Sequence, residues 1–416
     1  MRKKIIYTIF TKGSVAVINF IIALAIARAL GTEGRGEISM MFLNVTVVLI
    51  FNDIIGGSAL VYLSSKRDPY SLLMPAMVTG FLAGCVVPLL FQLYFRMNGM
   101  EFLCLWALSL LSNYSSILNY FLNGFGKIKA NNFAALFQGI ANLSCLGVLF
   151  YFMGKTSIYA CYISLGAGYL INLFISIYHL QNCFKRSSFS WGESFRAIFS
   201  FGIISQAGNI FQLLNYRFCW YVLDAYKSGG GRQTVGVFST SVSLIESIWI
   251  IMNGVAMVQY ATLSAMGDAA TAAKVTAKWA VNSFILTLMA LVILNLLPAG
   301  LFSWLFGKGF EEVKTFFPFL SPGIAISGLT GIYAHYFAAR GDMRTPALSA
   351  FFGLIVTVTL AFILIPVFGA EGAAWTNTFS YLVSGIFLLI MFKIKSGYSF
   401  LEVFNIRRVR GETANL

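Results

Sequence analysis

The sequence predicts an all-α integral membrane protein, with twelve transmembrane helices in two six-helix lobes. Three observations carry that expectation. Of 416 residues, 58% are hydrophobic and only 11% charged, against roughly 25% charged in an average soluble domain. The apolar stretches run unbroken for twenty residues or more, enough helix to cross about 30 Å of hydrocarbon. Lys and Arg segregate to alternate loops, as bilayer orientation requires. Together these exclude a soluble enzyme, a disordered chain and a disulfide scaffold. An outer-membrane barrel is excluded as well, because its strands would alternate apolar and polar residues.

The apolar runs lie near 5–30, 38–63, 71–95, 101–122, 133–153, 158–180, 199–223, 235–259, 279–305, 316–339, 347–367 and 371–392. The first follows Met1-Arg2-Lys3-Lys4 and carries Ala25-Ile26-Ala27, which imitates a cleavable leader. Its apolar stretch is too long for one, so it reads as a retained helix. With the N-terminus inside, nineteen Lys and Arg residues fall on the cytoplasmic side. Seven (Arg35, Arg96, Lys155, Lys227, Arg232, Lys308 and Lys314) fall opposite. Both termini are therefore expected in the cytoplasm.

The net charge of +14 is scattered over these loops, which argues for topology and against a nucleic-acid partner. Six cysteines show no ligand spacing and read as packing residues. The external loops are too short for an extracellular catalytic domain. The longest internal loop separates an N-terminal lobe (1–180) from a C-terminal lobe (199–392), with a cytoplasmic linker at 181–198 and a cytoplasmic tail at 393–416. The lobes look related. An offset of 215 aligns Gly126 with Gly341, Gly154 with Gly369, Ala135 with Ala350, Phe137 with Phe352, Ile140 with Ile355 and Leu149 with Leu364, and sets Lys129 on Arg344. Repeated six-span halves are a transporter plan.

Charges within spans are the strongest functional signal, since each costs a few kcal/mol at the bilayer centre unless paired or hydrated. Lys12 lies in span one, Asp53 in span two, Arg217 in span seven and Glu246 in span eight. At 1.5 Å per residue, Lys12 and Asp53 sit about 10 and 13 Å from the cytoplasmic edge, so they are expected to pair. Arg217 and Glu246 sit about 8 and 16 Å from the outer edge, a poorer match. Glu246 is accordingly expected to be the freer acid. Polar residues recur at helical spacing: Lys12 and Asn19; Gln206, Asn209, Arg217 and Asp224; Ser239, Ser243, Glu246 and Asn253. Such stripes suit a wet interior. Lys12, Asn19, Arg28, Gln206, Asn209 and Arg217 are the candidate substrate-binding residues. Asp53 and Glu246 are candidate ion carriers or structural partners of the cations. His335 reads as a packed, hydrogen-bonded residue. No P-loop, metal cluster or nucleophile elbow occurs, so neither a cofactor nor a catalytic residue is expected.

Ala27-Arg28-Ala29-Leu30-Gly31 followed by Gly34-Arg35-Gly36 resembles the end of the first helix of polysaccharide transporters. Leu214-Asn215-Tyr216-Arg217 with Val235-Gly236-Val237-Phe238 fits the same pattern. So does Ala339-Arg340-Gly341-Asp342, continuing through Ile365-Pro366-Val367-Phe368-Gly369-Ala370-Glu371-Gly372-Ala373-Ala374. In their order along twelve spans these resemble the Wzx-type O-antigen and capsule flippases of the MOP superfamily, relatives of lipid II flippases and MATE exporters.

The resemblance implies a MATE-like V of two lobes, alternating access and a bacterial inner-membrane location. It also implies an undecaprenyl-pyrophosphate-linked oligosaccharide as substrate, H+ or Na+ as coupling ion, and a polysaccharide polymerase as candidate partner. Many members carry an Asp two residues after the Arg of span seven; here that position is Cys219, and Asp224 is the nearest substitute. Two other functions compete: a MATE-like cation-coupled drug antiporter, whose binding region should favour acids, and a polytopic polymerase, which needs a larger external loop.

Overall fold

The computed structural model describes the backbone of residues 2–54, 56–64, 66–184, 191–226, 231–265 and 268–397. Parts of the expected linker (185–190) and tail (398–416) lie outside the described residues, which contain helix and no strand. In order these are α1 (Arg2–Asp53), α2 (Gly57–Leu63), α3 (Pro69–Phe95), α4 (Gly99–Gly124), α5 (Ile128–Gly147), α6 (Ile158–Leu180), α7 (Trp191–Ala225), α8 (Arg232–Glu246), α9 (Trp249–Ala265), α10 (Ala269–Leu296), α11 (Ala299–Phe306), α12 (Phe317–Ala339) and α13 (Arg344–Ser396). A π-helical turn (Val148–Phe152) extends α5, and a 3-10 turn (Glu311–Phe316) leads into α12.

Among the described residues, eight helices are long and apolar enough to cross a membrane. Two of them, α1 and α13, have 52 and 53 residues, about 80 Å of helix each, more than twice the hydrocarbon thickness. Each is bent at a glycine, Gly31 in α1 and Gly369 in α13, and so counts as two crossings. Pairing α2 with the end of α1, and α8 with α9, yields the twelve expected spans. The helix starts follow local chemistry. Asp68, Asn98, Ser157 and Asp268 each accept a backbone N–H from the first turn of α3, α4, α6 and α10, satisfying donors that helix geometry leaves unpaired.

The internal repeat is visible in the backbone. Lys127 N donates to Leu122 O at 2.8 Å, and 215 residues on, Asp342 N donates to Phe337 O at 2.9 Å. Gly126 and Gly341 are the positive-φ residues that close both turns, and Gly154 and Gly369 also share positive φ. A second correspondence joins the first two spans of each half. Gly31 (φ 69, ψ −166) and Gly231 (φ 86, ψ −175) adopt nearly the same backbone conformation, one that only glycine reaches readily.

The chain divides into two compact units, Met1–Ala207 with Leu305–Gly307, and Gly208–Trp304 with Lys308–Leu416. In the first, Leu60, Leu72, Ile117, Phe121 and Leu122 join α2, α3 and α4 in one core. In the second, Ala273, Ala280, Ile332, Tyr333 and Phe392 join α10, α12 and the end of α13.

Candidate functional site

Each half interrupts its second span at an acid. Helix α1 ends at Asp53 and α2 begins at Gly57; α8 ends at Glu246 and α9 begins at Trp249. A carboxylate at a helix C-terminus meets the negative end of the macrodipole, so either position is unfavourable without compensating donors or a cation. The two halves supply them differently.

In the second unit the compensation is a guanidinium. Arg217 Nη1 and Nη2 donate to Glu246 Oε1 and Oε2 at 2.9 and 2.6 Å, a two-pronged pair, and Tyr381 Oη donates to Oε1 at 3.3 Å. The guanidinium also lies 4.8 Å from the Trp220 ring centre. Tyr216, Trp249 and Tyr381 pack against one another beside it, with centroids 5.0–6.0 Å apart. Arg217 and Glu246 are therefore locked together more tightly than depth along the sequence suggested. The long Arg217 side chain spans the difference in depth that counting residues gives.

In the first unit Asp53 has neutral partners. Tyr120 donates to Oδ2 at 2.7 Å, while Ser116 and the Asn52 amide approach Oδ1 at 3.4 and 3.3 Å. Among the described residues no Lys or Arg lies within 4 Å of it. The expected Lys12–Asp53 pair is not formed; equal depth in the membrane did not translate into a shared face. Glu246 is thus the paired acid and Asp53 the acid with no cation, the reverse of the expectation.

Lys12 and Asn19 are exposed on the first crossing of α1. Ile22 and Ile26, further along that crossing, pack into a core with Leu146, Phe150 and Cys161. Arg28 is exposed too, and its Nε donates to Leu305 O at 2.7 Å. Gln206 is buried beside Gly57, and Asn209 is exposed. The stripe expected along span eight does not form one wet face: Ser239 is fully buried, and the chain breaks between Glu246 and Trp249. Asp224 pairs with Arg232 at 3.2 Å across the turn from α7 to α8, and Cys219 is buried. His335 Nδ1 is 2.7 Å from Gly331 O, in its own helix. Sequence reasoning missed Tyr120, Ser116 and Tyr381, since hydroxyls and rings within an apolar span carry no signal until the acids they serve are located.

No family model matches the chain, and no curated protein matches it in sequence. Solved structures do match in fold. A multidrug-resistance MATE family transporter of the MOP superfamily, in an inward-facing conformation, superposes with a TM-score of 0.76 at 13% identity, covering 92% of this chain and 94% of that one. The lipid II flippase MurJ, in an inward closed conformation, gives 0.75 at 14%, covering 96% and 90%. A MOP superfamily transporter from Pyrococcus furiosus, whose binding pocket is described as having reverse polarity, gives 0.66 at 14%, covering 95% and 96%. The architecture is thus that of MATE transporters and MurJ, over nearly the whole chain.

Proposed function

We propose that this protein moves an undecaprenyl-pyrophosphate-linked oligosaccharide from the cytoplasmic to the periplasmic leaflet of the bacterial inner membrane by alternating access, for O-antigen, capsule or exopolysaccharide synthesis. One observation carries the reading. Lys12 is an exposed cation within the first crossing, with no carboxylate or other partner among the described residues. An ammonium there is too costly to face hydrocarbon. It suits a diphosphate headgroup leaving water, whose charge-assisted hydrogen bonds are about twice as strong as neutral ones.

The planar fork of Arg217, otherwise the better phosphate ligand, is committed to Glu246, so Lys12 takes the headgroup role. Asn19, seven residues further along α1 and so on the same face as Lys12, is exposed and continues the binding surface. The resemblance to polysaccharide transporters and the likeness in fold to a lipid II flippase support the same reading. A drug antiporter fits less well, because an exposed cation repels cationic cargo.

Reconstitution in liposomes containing a lipid-linked oligosaccharide tests this, with lectin access reporting the leaflet. Lys12→Met should lower flipping at least about tenfold while the protein inserts normally, and Lys12→Arg should restore most of it. Wild-type flipping by Lys12→Met removes the residue from the substrate path. No flipping by the wild type, alongside proton- or sodium-driven export of a cationic dye, selects the antiporter.

A further inference from the structure

The Arg217–Glu246 pair supports a group of rings that nothing so far has used. Tyr381 is buried, 4% exposed, and its hydroxyl is tied to Glu246 Oε1. Two half-buried rings rest on it. Tyr216 meets it edge-on, with centroids 5.3 Å apart and planes at 85°, and Trp249 meets it at 6.0 Å. Tyr216 and Trp249 also touch each other, at 5.0 Å. The Trp249 indole N–H has no hydrogen-bond partner, which marks it as a donor still to be matched.

Amides border both rings. On α7, Asn209, Gln212 and Tyr216 follow steps of three and four and share one face. Asn209 and Gln212 are exposed, and Gln212 Nε2 donates to Tyr216 Oη at 2.7 Å. That bond leaves the Tyr216 O–H as a donor and the Gln212 carbonyl as an acceptor. On α9, Asn253 is exposed one turn beyond Trp249 and shares its face. Exposed amides beside rings, in segments apolar enough to read as spans, are costly against hydrocarbon. A ligand that is apolar on its faces and hydroxylated around its rim suits both.

We infer that Tyr216 and Trp249, with Gln212 and Asn253 at their edges, form a ledge that binds an uncharged sugar ring of the transported oligosaccharide; the substrate it names rests on the flippase reading. A pyranose presents C–H bonds on its faces, and these pack on an aromatic face. Its hydroxyls donate and accept at once, and an amide offers both functions side by side. Charge agrees with this. Arg217 and Glu246 cancel each other in a two-pronged pair, so the pair beneath the rings selects neither a sugar acid nor a cation. Tyr381 touches no sugar in this arrangement. It is a positioning residue, holding both rings while anchored to Glu246. Rings fixed in this way lose little freedom when a ligand arrives.

The test reads glycan binding and flipping separately. The purified full chain, in a detergent without a sugar headgroup, is titrated with lipid-free neutral tri- to hexasaccharides. Saturation-transfer NMR then reports which sugar protons lie against aromatic rings. The wild type should bind saturably, with the strongest transfer at the C–H protons of one ring face. Trp249→Ala should weaken binding about tenfold, and Gln212→Leu and Asn253→Leu about fivefold each. In liposomes the same variants should raise the concentration of lipid-linked oligosaccharide that half-saturates flipping.

No binding of any of these glycans by the wild type overturns the ledge. So does tighter binding of tetraphenylphosphonium that is lost in Trp249→Ala, which would make the rings a cation site. If Trp249→Ala does not fold, unchanged glycan midpoints in both Gln212→Leu and Asn253→Leu, at exposed positions, overturn it instead. Flipping without glycan binding sinks the ledge and leaves the flippase reading; glycan binding without flipping does the opposite.

Discussion

Arg217 and Glu246 form a pair whose two side chains are 22% and 10% exposed, so neither charge has much water to fall back on. Removing one partner leaves the other buried and unpaired, which costs about 3–5 kcal/mol in comparable sites, whereas replacing both by apolar residues is often neutral. Glu246→Leu should therefore lower the melting temperature sharply, and Arg217→Met combined with Glu246→Leu should recover most of the loss. If the double variant melts no higher than either single one, the pair has no stabilising coupling. Tyr381→Phe removes a single 3.3 Å hydrogen bond to the same carboxylate and should cost about 1 kcal/mol. The pairing was half legible in the sequence. Residue types and span assignment identified four intramembrane charges, but which acid met a cation depended on helix rotation and packing. No residue type near Asp53 or Glu246 announces a break: Ile54 and Ser247 are unremarkable neighbours.

At the scale of elements, the turn between the first two spans of each half rests on glycine. Gly31 and Gly231 hold φ 69 and 86 with ψ near 180°, and a Cβ at either would meet nothing within 4 Å. Any loss on substitution is therefore backbone strain alone. Gly31→Ala and Gly231→Ala should each cost about 1–3 kcal/mol, read as a lower melting temperature. An unchanged value at both would show that the turns relax without strain.

The turn from α12 to α13 depends instead on charge. Lys395 Nζ, near the end of α13, donates to Asp342 Oδ2 at 2.6 Å, and Thr345 Oγ1 donates to the same oxygen at 2.7 Å. Burial pulls the Asp342 carboxyl up, but the hydrogen bonds from Lys395 and Thr345 outweigh it and hold it below the usual carboxylate range. A depressed carboxylate stabilises the fold above its unfolded pKa, about 3.9, and loses that contribution as pH falls through the lower folded value. The melting difference between wild type and Asp342→Asn should thus be constant near neutrality and vanish on acidification below about pH 4. The difference should be small, under about 1 kcal/mol, because Lys395 is 42% exposed and solvent screens such pairs.

Across the whole molecule, the distribution of Lys and Arg makes a prediction about sidedness that the helices themselves leave open. In a variant lacking the six native cysteines, single cysteines replacing Ile128 or Met343 should react with an impermeant maleimide only from the cytoplasmic face. Those replacing Glu33 or Met100 should react only from outside. Ile128 and Met343, in loops expected on the cytoplasmic side, are 41% and 57% exposed, so reagent access is not limiting. Reversal of either set overturns the inside-facing termini.

The sequence by itself determined the solvent, the number of crossings and the existence of two related halves. These follow from composition and from glycines at a constant offset, quantities that add along the chain. It also selected the charged residues that need explanation, because an ionised group in an apolar run is conspicuous wherever it ends up. Tertiary structure alone decided their partners. Asp53 and Lys12 share a depth but not a face. Glu246 and Arg217 differ in apparent depth yet meet through two hydrogen bonds. Tyr120 and Ser116 acquire meaning only when α4 packs against the end of the helix at Asp53. Partner choice is set by which face of each helix meets which neighbour, and rotating a helix about its axis leaves hydropathy along the chain unchanged.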